Sequence, residues 1–220
     1  MIWSKDDGKR EGRGYHHGNL KEALVRAALE LIAKNGPAGF TFADAARSAG
    51  VSPAAPYRHF RDRDELMAAV ALRGFNLFEN SLAHAWNDGR PKSLIAFESV
   101  GRAYLKFARA NPAFYSAMFE AAIPLERNTE LRQASERAFA VLRTASESFI
   151  ATLPPGSRPP ALMMGLHVWA LLHGLASLFG RGDSAGRAVP MSVEELFEAA
   201  LLIYRGGLRS GVSQDPSKDA

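Results

Sequence analysis

Cysteine is absent from this chain of 220 residues. Without thiols there is no disulfide, no thiolate metal ligand and no cysteine nucleophile, and this usage is compatible with a cytoplasmic protein. No run of 18 apolar residues occurs, so we expect no membrane span. The first residues, MIWSKDDGKREGRGYHHG, lack the apolar core of a secretory signal, so none is predicted.

Motifs of metal and phosphate chemistry are missing as well. The sequence has no Glu-x-x-His or His-x-x-x-His pair and no Gly-rich phosphate loop. His16 and His17 are adjacent, and adjacent side chains point apart on a helix, so they are not expected to share a metal. We therefore expect no catalytic residue, no metal site and no cofactor, with a small helical enzyme as the distant alternative.

No part of the chain shows the alternation of apolar and polar residues, with a period of two, that predicts a β-strand. Amphipathic helical patterns are separated instead by proline and glycine, which predicts an all-α protein of about nine helices. These breaks divide the chain into a disordered basic arm (1–17), a three-helix head (18–61), a helical body (62–210) and a disordered tail (211–220).

The centre of the head is the stretch TFADAARSAGVSPAAPYRHF, residues 41–60. Thr41 and Asp44 have the spacing of a capping box, in which a hydroxyl and a carboxylate each bond a free backbone amide. Gly50 supplies the left-handed residue that ends a helix. A bare face that a second helix can cross closely is formed by Ala45, Ala46 and Ala49.

A second helix is predicted over Pro53–Phe60, with Ser52 as its N-cap and Pro53 at its first position. A helix of about two turns is not stable alone. The helix-turn-helix (HTH) motif explains such a helix, because its first helix braces the second, which enters the DNA major groove. The pattern by itself leaves an ordinary helical hairpin equally open.

The run AGVSPAAPYRHF followed by RDRDEL resembles the DNA-binding signature of the TetR family of bacterial transcriptional regulators. Three positions depart from it: Ala45 and Pro56 replace aliphatic residues, and Arg63 replaces lysine. Because Pro56 removes only one intrahelical bond, we expect a slightly bent recognition helix. The residues that match are Thr41, Ala46, Ala49, Gly50, Val51, Ser52, Tyr57, His59, Phe60 and Leu66.

The resemblance implies how this head would bind double-stranded DNA. Base edges would be contacted by Ser52, Pro53, Ala54 and Ala55. Phosphates would be held by Thr41, Arg47, Tyr57, Arg58, His59 and Arg63. The charge distribution is consistent with this placement, because residues 1–63 hold 11 Lys/Arg against 7 Asp/Glu whereas residues 64–220 hold 16 of each. A chance fluctuation would give the same numbers. The arm is either a DNA-contacting extension or a merely solvated tail.

Two segments of the body, NPAFYSAMFE and VWALLHGLASL, resemble a C-terminal domain of one TetR branch named after Trp-His-Gly residues, here Trp169, His173 and Gly174. An apolar cavity between helices is expected there. From the residues alone we favour His173 as a core histidine bonded to a backbone carbonyl. The expected pocket residues are Tyr104, Phe107, Phe114, Met118, Phe119, Trp169 and His173.

A homodimer is expected, because one short recognition helix reads too few base pairs and two related copies read a palindromic operator. The resemblance implies that the last two long helices form the interface. Its expected members are Gly165, Ala170, Gly174, Leu196, Ala200 and Ile203. A repressor released by a small apolar or aromatic effector is the expected function. The alternative is an activator, or a regulator without a small-molecule ligand.

Overall fold

Eight α-helices make up the fold in the computed structural model, which describes residues 20–179 and 191–210, and no strand occurs within those ranges. The predicted all-α class is confirmed. The predicted arm, the tail and the loop at 180–190 lie outside the described residues. The helices are α1 Leu20–Asn35, α2 Phe42–Ser48, α3 Arg63–Trp86, α4 Ser93–Ala110, α5 Pro112–Phe119, α6 Thr129–Ala151, α7 Ala161–Phe179 and α8 Val193–Ser210.

The two ends of α2 follow from its sequence. Thr41 caps the first turn: its hydroxyl accepts from the Asp44 amide at 3.2 Å, and Asp44 accepts from the Thr41 amide at 2.9 Å, which confirms the predicted capping box. At the other end Gly50 has φ +72°, and the amides of Gly50 and Val51 bond the carbonyls of Arg47 and Ala46. This pair of bonds is the Schellman motif that glycine favours.

The predicted recognition helix is wrong in type and length. Only Ala55–Arg58 is helical, as one 3₁₀ turn whose N-cap is Ala54, and Ser52 makes no side-chain cap. Pro56 is the physical reason. Proline has no amide to donate, and its ring is fully buried in the head, while its carbonyl accepts from the amides of both His59 and Phe60. Packing of Pro56 and Phe60 therefore holds the segment together with these two bonds.

The long helix α3 joins the head to the body. Its first half packs against α1, and further along it packs against α4, α5 and α6. At Gly74 it lies so close to α5 that an added Cβ would be 2.8 Å from the Met118 sulfur and 3.3 Å from the Phe114 Cβ. Since α5 also contacts α1, this short helix touches both the head and α3.

The helices α7 and α8 cover one side of the body. By length and composition alone α7 could cross a membrane, but that test is also passed by core helices, and α7 packs on α4, α6 and α8. On α8 the buried Phe197 ring sits directly over Gly101 of α4, where a Cβ would overlap it. Two ion pairs flank this contact, Arg102 with Glu198 at 3.0 Å and Arg109 with Glu194 at 2.9 Å.

Candidate nucleic-acid interface and internal cavity

The segment from Ser52 to His59 presents a continuous outward face. Ser52, Pro53, Ala54, Tyr57, Arg58 and His59 are exposed and Ala55 is half-buried. The segment is anchored from beneath by the buried Pro56 and Phe60. Small side chains at its start and donors at its end leave room for a partner surface to approach the backbone.

Tyr57 is held in place by its ring while its hydroxyl remains free to project. The side chain is 64% exposed, yet its ring meets Phe42 edge to face with centroids 5.0 Å apart. Phe42 is the first residue of α2, so the two halves of the motif are joined at this contact. Within the described part of the chain, this ring contact and no hydrogen bond orients the Tyr57 side chain outward.

The predicted phosphate contacts on α2 have other partners in the unbound chain. The Thr41 hydroxyl belongs to the capping box, and these hydrogen bonds to Thr41 lower the pKa of the Asp44 carboxyl. Arg47 bonds Asp44 at 3.2 Å, but its side chain is 80% exposed. Such an exposed ion pair is weak, so the Arg47 guanidinium can readily leave Asp44 and bind another anion.

The structure places Arg63 inside the head instead of on its outer face. Its Nε donates to the Phe40 carbonyl at 2.9 Å, another guanidinium nitrogen donates to the Pro37 carbonyl, and the group stacks over the Phe40 ring at 4.7 Å. The predicted phosphate contact of Arg63 stays a prediction. Arginine's planar guanidinium donates to two carbonyls while it stacks flat on a ring, which the ammonium of the usual lysine does not do, and the start of α3 is fixed to the loop between α1 and α2.

An internal cavity of about 280 Å³ lies in the body between α3, α4, α5, α6 and α7. Exposed Glu136, Leu166 and Trp169 belong to its lining, so it reaches the surface beside them. The lining is mostly apolar. It consists of Phe75, Phe78, Leu82, Tyr104, Met118, Phe119, Leu125, Ser135, Glu136, Ala138, Phe139, Leu142, Leu166 and Trp169.

Four of the seven expected pocket residues line this cavity: Tyr104, Met118, Phe119 and Trp169. The other three do not. Phe107 is buried behind Phe78, Phe114 packs against Gly74, and His173 lies behind Phe119. The contributions of α3 and α6 were missed, although their apolar stripes at three- and four-residue spacing could have indicated walls facing α5 and α7.

His173 is satisfied by tyrosines, which corrects the expected bond to a backbone carbonyl. The Tyr115 hydroxyl lies 2.7 Å from His173 Nδ1, and the Tyr104 hydroxyl lies 3.3 Å from the same nitrogen. Burial lowers the pKa of His173, and the Glu120 carboxylate opposes this in part. Burial raises the pKa of the Tyr104 hydroxyl well above its ordinary value, with Tyr115 adding to the rise and Trp169 opposing it.

The expected dimer residues fall into two groups. Ala170 and Ile203 are exposed, and Gly174, Leu196 and Ala200 are half-buried. Gly165 is buried in its own chain, where an added Cβ would lie 3.6 Å from the Arg143 Cα, so the close approach that it permits is to α6. In addition to the exposed and half-buried residues, α7 and α8 expose further large apolar side chains, namely Leu162, Met163, Leu166, Leu178 and Leu202.

Two observations bear on catalytic and metal chemistry. No group of three or more histidine, aspartate and glutamate side chains that could hold a metal occurs there. The sequence does contain one Gly-x-Ser-x-Gly spacing, at 182–186. That motif acts at a strand-to-helix turn. Residues 182–186 lie outside the described ranges, and those ranges contain no strand.

Comparison with known families gives two matches. The family described as "Bacterial regulatory proteins, tetR family" matches residues 24–70. The family described as "Tetracyclin repressor-like, C-terminal domain" matches residues 97–204. The first covers the HTH segment and the start of α3, and the second covers most of the cavity wall as well as α7 and much of α8.

Individual proteins are also similar to this chain. The uncharacterized HTH-type transcriptional regulator YobS of Bacillus subtilis is 28% identical over 100 residues, so the match spans 46% of this chain and about half (51%) of YobS. A Rhodococcus sp. RHA1 protein of unknown function is 28% identical, with TM-score 0.73 over 90% of this chain and 99% of that one. FadR of Bacillus subtilis, solved in complex with stearoyl-CoA, shares the fold alone: 13% identity and TM-score 0.67 over 87% of this chain and 98% of FadR.

Proposed function

The chain belongs to the TetR family of HTH-type transcriptional regulators, and from this we propose that it is a cytoplasmic homodimeric repressor that binds a palindromic operator and is released by a small apolar effector. The observation that carries the DNA-binding role is the outward face from Ser52 to His59, anchored by buried Pro56 and Phe60. It combines small residues that allow close approach with side chains that donate to phosphate.

In this proposal base edges are read from Ser52 to Ala55, and phosphates are held by Tyr57, Arg58, His59 and Arg47. Thr41 keeps its capping bonds, and its side chain is exposed beside these phosphate-binding residues. Arg63 contributes through the fold of the head, because its guanidinium bonds two carbonyls there. One such face contacts one half-site, so a two-fold dimer reads two.

Selection of bound duplexes from a random pool tests this role, with an inverted repeat as the expected result. Two variants then separate the contacts. Tyr57→Phe keeps the ring on Phe42 and removes the hydroxyl, so affinity should fall by a similar factor, about five- to tenfold, for the operator and an unrelated duplex. Ala54→Asn should change the ratio between them. The assignment would be contradicted if the selected sequence is not an inverted repeat. It would also be contradicted if Ala54→Asn leaves the ratio of the two affinities, for the operator and for the unrelated duplex, unchanged.

The effector role is proposed from the cavity of about 280 Å³. This volume is at the lower end of ligand pockets, which run from roughly 300 to 1,000 Å³, and suits a compact molecule better than the long acyl thioester bound by FadR. Melting curves with a library of small apolar compounds and with stearoyl-CoA test it. A compact molecule that binds in the cavity should raise the melting temperature. If stearoyl-CoA alone raises it, the effector is a long acyl thioester and not a compact molecule.

Coupling between cavity and head is proposed to run through α5. Met118 and Phe119 line the cavity from α5, and Met118 also packs on Gly74 of α3. A ligand that displaces α5 would change the tilt of α3 and the spacing of the two heads, so ligand and operator favour different dimer states. A stabilising compound should therefore weaken operator binding. If it strengthens operator binding, release by the effector is wrong.

A further inference from the structure

Tyr104 is the deepest polar group of the cavity lining. It is only 1% exposed, and its hydroxyl lies 3.3 Å from His173 Nδ1 and 3.4 Å from the Tyr115 hydroxyl. Tyr115 reaches the same Nδ1 at 2.7 Å but does not line the cavity. Three polar groups thus meet at the inner wall of an apolar space.

The hydrogen positions can be counted. An imidazole nitrogen either donates once or accepts once. The Tyr115 hydroxyl lies 2.7 Å from His173 Nδ1, and typical bonds from a hydroxyl are about 2.7 to 2.8 Å long. Tyr115 is therefore the hydrogen-bond partner of Nδ1 in either tautomer of His173. The Tyr104 proton is left with acceptors at 3.3 and 3.4 Å among the described residues. Tyr104 therefore has a weakly bonded donor at the cavity wall.

We propose that the cavity selects neutral, mostly apolar molecules that carry one hydrogen-bond acceptor, such as a ketone or an ester, and that the Tyr104 hydroxyl donates to this acceptor. This inference rests on the proposed effector function and names the chemical class of the effector. A buried donor that a ligand completes discriminates strongly, because molecules without the acceptor leave it poorly bonded.

Charge and size narrow the class further. The charged residue of the lining is Glu136, whose carboxylate bonds the Arg132 guanidinium at 2.7 Å, so the described lining offers an anion no cationic partner of its own. Bringing an anion into an apolar space without a cationic partner is also costly. An apolar cavity of roughly 150 Å³ holds benzene, so about 280 Å³ accommodates one ring with a short substituent.

Three probes of similar shape test the proposal on the full chain by calorimetry: acetophenone, isopropylbenzene, in which a methyl group replaces the carbonyl oxygen, and benzoate. In Tyr104→Phe the affinity for acetophenone should fall about tenfold, and that for isopropylbenzene should stay within about twofold. Benzoate should bind wild type at least tenfold more weakly than acetophenone. The control Tyr204→Phe removes the same hydroxyl from α8, outside the cavity lining, and should change neither affinity.

Infrared spectroscopy of ¹³C-carbonyl acetophenone gives a second readout that needs no variant. Its stretch should move to lower frequency in the wild-type complex than in hydrocarbon solvent. An unshifted band, equal losses for acetophenone and isopropylbenzene in Tyr104→Phe, or tightest binding of benzoate would overturn the inference. If no probe or library compound binds while the operator still does, the effector function fails and DNA binding stands.

Discussion

Arg63 shows how a side chain in a DNA-binding signature can serve the fold. Its guanidinium bonds the carbonyls of Pro37 and Phe40 and stacks on the Phe40 ring. The sequence could not indicate this, because the partners lie 23 and 26 residues earlier. Thr41 and Asp44 were predicted correctly because their bonds join residues three apart, where spacing alone determines geometry.

Replacing Arg63 separates the structural role from a phosphate contact. Arg63→Ala should lower the free energy of unfolding by about 2 kcal/mol, since a charged donor leaves two carbonyls. Arg61→Ala is the control, because that side chain is 85% exposed, and it should cost less than about 0.5 kcal/mol. Urea unfolding measures both. Unchanged stability with a large loss of operator affinity would return Arg63 to the phosphate contacts.

His173 gives the body a predictable response to pH. Burial lowers its pKa in the folded chain, with Glu120 opposing, whereas the unfolded value is about 6.5. As pH falls below about 6.5, the unfolded chain takes up a proton that the folded chain binds less readily. Stability is therefore lost as pH drops from there towards the folded pKa and levels off below it.

His173→Asn removes this titration and keeps an acceptor for Tyr115. Urea unfolding at about pH 7.5 and pH 5.5 should show a smaller loss of stability in the variant than in wild type. Both proteins keep all the other histidines, so the difference isolates His173. Equal losses in the two proteins would contradict a lowered pKa of His173 in the folded chain.

Among the elements, the first helix of the motif was predicted with its capping box and its glycine end, and the recognition segment was not. The stretch from Ala55 to Arg58 has no side-chain cap and too few helical bonds to determine its type. Its form depends on where Pro56 and Phe60 are buried, which is tertiary information. The cavity walls from α3 and α6 were missed for a similar reason, because periodicity reveals an apolar face but not its neighbour.

The attachment of α8 to α4 depends on one glycine. In Gly101→Ala the new methyl group would overlap the Phe197 ring, so α8 must shift, at a cost of about 1 to 3 kcal/mol. Adding Phe197→Leu should recover part of this loss, since a smaller side chain leaves room. Thermal unfolding of both single variants and the double variant measures their coupling. Strictly additive losses would show that the two residues do not meet.

At the scale of the whole molecule, the apolar face of α7 and α8 accounts for the proposed dimer. Ile203 is 73% exposed beside Leu202, more than an isolated subunit needs to present. The resemblance to a family implied which helices would meet, and the structure assigns one expected residue, Gly165, to packing within the chain. Pairing between copies depends on a second chain, so neither periodicity nor the fold of one chain determines it.

Ile203→Glu should dissociate the dimer and lower operator affinity about a hundredfold, because a carboxylate would be buried against apolar side chains. Leu77→Glu on α3 is the matched control, since Leu77 is also an exposed apolar residue and α3 packs against α1, α4, α5 and α6. Sedimentation equilibrium and operator titration give the two readouts. A dimer that survives Ile203→Glu places the interface elsewhere.

The bonds that Arg63 makes to Pro37 and Phe40 fix the head to the start of α3. In the proposed coupling the head and the first turns of this helix therefore swing as one lever about the crossing at Gly74. That fulcrum is eleven residues from Arg63, or about 16 Å along the helix axis. A rotation of only about 5° there displaces the far end by about 1.4 Å, enough to spoil the register of hydrogen bonds with a duplex.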